Sequence, residues 1–60
     1  MKFRVHNAKG EMGTFEAATG MAAIAKALRK EGFDAVAVGD SLQSDAPEKV
    51  LERISAEPLE

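Results

Sequence analysis

His6 is the only histidine in this sequence, and the cysteine count is zero. With Ser41 and either Asp34 or Asp40 it supplies the atoms of a nucleophilic trio. In such a trio the imidazole takes the hydroxyl proton and the carboxylate orients the ring. Any chain of this length holds such a set somewhere, and no defining motif surrounds Ser41, so the trio does not predict an enzyme. One imidazole with no second nitrogen or sulfur ligand nearby is also too poor a set for a transition metal. The segment Gly39-Asp40-Ser41 follows an apolar run, where a loop beyond a strand can present N–H groups to an anion. Asp40 and Asp45 stand where a phosphate would go, and neither glycine-rich phosphate pattern is present, so the segment reads as a turn. The expectation is therefore no catalytic residue, no metal and no cofactor.

The elements that would position a site are bounded by composition. The chain has 60 residues with eight Lys plus Arg against ten Asp plus Glu, a net charge of −2. That length allows one domain. No apolar run approaches the roughly 18 residues of a membrane span, and no signal pattern opens the sequence. A small cytoplasmic domain over 1–58 is expected, with Leu59-Glu60 after Pro58 read as the remnant of a cloning site. Of 27 apolar residues 11 are alanine, so few large side chains are left to organise an interior. So short a chain buries only about 60% of its unfolded surface. With no disulfide and no metal, self-association is the available way to gain burial.

Lys2 to Asn7 alternates polar and apolar residues with period two, placing Phe3 and Val5 inward and Lys2, Arg4 and His6 outward. Thr14 to Ala18 repeats the pattern with Phe15 and Ala17 inward. A three-residue loop Ala8-Lys9-Gly10 joins the two as a hairpin, pairing Asn7 with Glu11, Phe3 with Phe15 and Lys2 with Glu16. Gly13 then falls opposite Val5 and marks a bulge. Thr19 caps a helix over about Gly20 to Glu31, with Met21, Ile24, Ala25 and Leu28 on one stripe and Gly32 as its stop. Phe33 to Val38 reads as a strand apolar on both faces, and Gly39 to Ser44 as a polar connection. Asp45 with Glu48 has capping-box spacing, and Pro47 suits a first turn, so a second helix is predicted over about Ala46 to Ala56.

These elements predict an α+β fold of order ββαβα. A helical crossover makes the third strand parallel to the second, in a three-stranded mixed sheet of preferred order 2-1-3. One helix lies on the inner face and a second completes the unit. The most apolar strand then lies at an edge, which proteins normally keep short, charged or covered. Either the second helix covers it or a second copy meets it through that edge or face. The predicted contact surface is Phe33, Ala35, Val36, Ala37 and Val38, with Val50, Leu51 and Ile54 of the second helix alternative or adjacent. The expected role is a non-enzymatic interaction or regulatory module, homodimeric or bound to a protein partner.

The alternative is a weak binder of RNA or single-stranded DNA, using Lys2, Arg4, His6 and Lys9 on the outer face of the hairpin. Nucleic-acid platforms of this kind stack bases on aromatic side chains. Phe3 and Phe15 point away from that face, there is no Tyr or Trp, and Glu16 interrupts the cations, so this reading is disfavoured. Charge is split along the chain. Residues 1–32 carry six basic and three acidic residues, and residues 33–60 carry two and seven. Cations in the last turn of one helix and anions in the first turn of the next account for much of that split.

Overall fold

The computed structural model describes residues 1–59. In chain order the elements are β1 (Lys2–Asn7), β2 (Gly10–Glu16), α1 (Gly20–Lys30), β3 (Ala35–Val38), β4 (Ser41–Ser44), α2 (Glu48–Leu51) and β5 (Ser55–Pro58). Strands β2-β1-β5 form one antiparallel sheet, and β3-β4 form a separate two-stranded hairpin. Helix α1 touches all three strands of the sheet and both strands of the hairpin. The α+β class, the three-stranded sheet and the helix laid across it are as the sequence predicts.

The first hairpin follows from side-chain parity. Lys2 pairs with Glu16, Phe3 with Phe15 and Val5 with Gly13, which buries Phe3 and Val5 and exposes Lys2 and Arg4. Beyond Val5 the register shifts by one residue, so that His6 pairs with Glu11 and Asn7 with Gly10. The turn is thus one residue tighter than expected, and the bulge opposite Val5 restores the register of the phenylalanines. The Asn7 carboxamide oxygen accepts the Lys9 N–H at 3.0 Å and holds the tight turn.

Thr19 caps α1, its Oγ1 accepting the Ala22 N–H at 3.1 Å. At the other end the Gly32 N–H donates to the Arg29 carbonyl and the Phe33 N–H to the Leu28 carbonyl, both at 3.0 Å. That bond pair is a Schellman motif, and Gly32 supplies its positive-φ residue with φ of 100°. Phe33, expected to open the third strand, instead closes this motif and packs against the core. The helix buries Ala23, Ile24, Ala25, Ala27 and Leu28, a wider arc than the predicted stripe, because β-structure lies on more than one side of it. Its alanines permit that close approach.

Two expectations are corrected. The third position in the sheet belongs to β5, and the Phe33–Val38 segment does not enter the sheet at all. The sheet is therefore antiparallel throughout, where a parallel third strand was expected. The helix predicted over Ala46 to Ala56 is a single turn, Glu48–Leu51, with Pro47 at its N-cap and no side-chain cap. Asp45 does not cap it: its carboxylate accepts the Asp34 N–H at 2.9 Å, while Ser44 Oγ accepts the Ala46 N–H at 3.0 Å. The carbonyls that would continue the helix are taken by the first hairpin. Asn7 Nδ2 donates to the Val50 carbonyl at 2.8 Å, and the Ala8 N–H to that of Glu52 at 2.9 Å. A second helix this short gains little on its own, whereas an added strand satisfies the open edge of β1.

Arg53 makes the reversal into β5 and is the one non-glycine residue with positive φ, 56°, among those described. A side chain in this conformation costs about 1–2 kcal/mol, and glycine's extra freedom when unfolded offsets about 0.5–1 kcal/mol of the relief. Arg53→Gly is therefore expected to stabilise the protein by up to about 1 kcal/mol, read as a higher urea midpoint. A lower midpoint would show that the Arg53 side chain contributes more than its backbone costs.

Candidate interaction surface

The β3–β4 hairpin carries most of the residues singled out from sequence. Gly39, with φ of 60°, and Asp40 form its two-residue loop, and Val38 pairs with Ser41 across it. Glycine at the first central position, followed by a residue outside the positive-φ region, is the type II′ pattern that suits strand twist. The pairing continues as Ala37 with Leu42, Val36 with Gln43 and Ala35 with Ser44. At the open end the Asp45 N–H donates to the Asp34 carbonyl at 3.2 Å, and the Asp45 carboxylate takes the Asp34 N–H. The hairpin is thus held by the Schellman motif, the loop and this Asp34–Asp45 clasp.

Its two faces differ. Ala35 is buried, and Ala37 and Leu42 pack against the core, so these side chains face α1. Val36 and Val38 turn outward, 48% and 57% exposed. Directly opposite pairs share a face, so Gln43 and Ser41 stand beside them, both exposed. The outer face is two parallel rows, valines on β3 and polar residues on β4. Of the eight residues predicted to make contact, only Val36 and Val38 point into solvent. Phe33, Ala37, Val50, Leu51 and Ile54 are half-buried against the core, and Ala35 is buried within it. The α2 face therefore closes the domain's own interior instead of presenting the alternative or adjacent contact surface expected of Val50, Leu51 and Ile54.

A shallow, open depression of about 560 Å³ lies beside the open end of this hairpin. Arg29, Asp34, Val36, Gln43 and Asp45 are among the residues lining it, and Arg29 is its only cation. No ion pair engages Arg29 among the described residues, where Arg4–Glu57 is the single pair.

The residues considered for chemistry do not assemble. His6 lies on β1, and its Nε2 is 3.1 Å from the Ser55 hydroxyl. Ser41, Asp34 and Asp40 lie on or beside the other hairpin. A helix over Ala46 to Ala56 does not bring Ser55 to His6; the alternation Ile54-Ser55-Ala56-Glu57 is the strand signal that does. No group of three or more His, Asp or Glu side chains among the described residues could hold a metal ion. No helix among them is long and apolar enough to cross a membrane.

The basic face is interleaved with acids. Lys2 is paired across the ladder with Glu16 and His6 with Glu11. Arg4 makes a 2.6 Å ion pair with Glu57. The Glu57 hydrogen bond and charge, and then Glu11, raise the Arg4 pKa above its ordinary value. Lys9 sits apart in the tight turn. A surface whose cations already face carboxylates has little counterion to release on meeting a phosphate backbone. No family model, curated protein or solved structure matches this chain.

Proposed function

We propose that this protein is a small non-enzymatic interaction module that self-associates through the outer face of the β3–β4 hairpin. The observation that carries the reading is the exposure of Val36 and Val38, 48% and 57%, side by side on a two-stranded ribbon. Neither side chain packs against the core, and covering the roughly half of each that is exposed would contribute about 1 kcal/mol. The rest of the domain supports the same reading, because the remaining large apolar side chains of β3, β4 and α2 are committed to a thin interior.

A partner that binds only the folded state raises the melting temperature by mass action. The melting temperature of the wild type is thus expected to rise with protein concentration over about a hundredfold range. Val36→Thr with Val38→Thr keeps the β-branched shape and removes the apolar surface. This double variant is expected to melt at one temperature throughout that range. A wild type with no concentration dependence would count against self-association.

A further inference from the structure

β1 stands between β2 and β5, so outward side chains of the three strands line up in rows across the sheet. His6 pairs with Glu11 on one side and with Ser55 on the other. Directly opposite residues share a face, and this row reads carboxylate, imidazole, hydroxyl. Val5 and Ala56, the next residues along their strands, point the other way into the core. The His6 Nε2 lies 3.1 Å from the Ser55 Oγ, within reach for proton transfer. Both side chains are half-buried and stand on paired strands, so the ladder itself fixes their separation.

We infer that Ser55 is a modification site, an acceptor for the acyl group of an activated ester, with His6 as its base. The Ser55 Oγ bonds to the acyl carbon, and the bond from that carbon to the leaving oxygen breaks. The hydroxyl proton passes to the His6 Nε2 and from there to the leaving oxygen. Glu11 makes no ion pair with the ring among the described residues, but its negative charge beside the ring favours the transient imidazolium. None of the three side chains offers the pair of N–H donors that would stabilise an oxyanion and speed deacylation. The acyl group therefore stays on Ser55, and the protein is modified once instead of turning over. This assignment is independent of the self-association through the second hairpin.

The other two serines, Ser41 and Ser44, serve as internal controls. Both lie on β4 of the separate hairpin, and Ser44 Oγ already accepts the Ala46 N–H. The experiment exposes the full chain to p-nitrophenyl acetate at neutral pH and maps the acetyl groups by peptide mass spectrometry. Ser55 is expected to be acetylated about tenfold faster than Ser41 or Ser44, or more. His6→Gln keeps a hydrogen-bonding group beside the hydroxyl but cannot take its proton. This variant, with its fold checked by circular dichroism, is expected to lower the Ser55 rate to that of the other serines. The selectivity among the three serines is read on the wild type and needs no variant. Equal acetylation of the three, acetyl groups held on His6 but not passed to Ser55, or a Ser55 rate unchanged in a folded His6→Gln chain overturns the assignment.

Discussion

Leu28→Ala is expected to remove about 3 kcal/mol of stability, within the 2–5 kcal/mol range of buried leucine truncations. Leu28 has no exposed surface and is one of the two largest side chains that are fully buried. It lies on the arc of α1 buried with Ile24 and the three alanines, and its carbonyl also closes the Schellman motif through the Phe33 N–H. The alanines around it are already too small to move into the space, so the cavity persists and its cost adds to the lost transfer energy. A 60-residue domain has about 3–9 kcal/mol of stability in total, so the variant is expected to lose about a third of it or more. Leu42→Ala, at a half-buried position under the second hairpin, is expected to cost about half as much or less. Urea titration of the two side by side checks the order. Equal midpoints would mean that the core is not centred on α1.

Ending the chain at Ile54 is expected to abolish cooperative melting. The central strand β1 divides its backbone bonds between two neighbours. The Ala17 N–H donates to the Met1 carbonyl on the β2 side, and the Leu59 N–H to that of Lys2 on the β5 side, both at 2.9 Å. Alternation along antiparallel ladders then assigns odd residues of β1 to β2 and even residues to β5. Pro58, opposite Phe3, falls at a position that owes no ladder donor, which is where an edge strand tolerates proline. Without β5, half the backbone groups of β1 lose their partners, Val5 and Phe3 lose cover from Ala56 and Pro58, and Arg4 loses Glu57. Glu57→Gln separates the strand from the ion pair. Both partners are about half exposed, so that change is expected to leave cooperative melting in place. Calorimetry of the shortened chain showing a sharp transition near the wild-type temperature would contradict this role for β5.

What could be read from the sequence divides along the same physical lines. The first hairpin and α1 were legible because their signals are local and agree. Parity placed Phe3 against Phe15, Gly13 marked the bulge, Thr19 and Gly32 marked the helix ends, and the structure has all of these. The second half misled because two competing signals lay on the same residues. Asp45, Pro47 and Glu48 resemble a helix start, yet Asp45 is drawn away by the Asp34 N–H and the helix closes after one turn. What decides the outcome is the open edge of β1, some fifty residues away in sequence, which no local pattern reports. The second hairpin did leave a signal, since Gly-Asp between Val38 and Ser41 fits a two-residue turn. Read as a polar connection, Gly39 to Ser44 hides that signal, because a strand after a helix is expected to return to the sheet it left.

The candidate surface shows the same division. An exposed apolar strand was legible from Phe33 to Val38, though it was expected at the edge of the sheet, and the sequence alone could not say which side chains face outward. The Schellman motif draws Phe33 inward, and α1 takes the side of Ala35 and Ala37. Val36 and Val38 remain outside. Opposite them the polar Ser41 and Gln43, read from sequence as a plain connection, give the face its two rows.

The most direct test of the interaction surface is a dilution series followed by amide NMR shifts on the uniformly labelled wild type. Concentration-dependent shifts are expected at Val36, Val38, Ser41 and Gln43, while Lys2, Arg4 and His6 on the three-stranded sheet stay still. Shifts confined to the Lys2–Arg4–His6 face, or none at any residue over the whole series, would contradict the account.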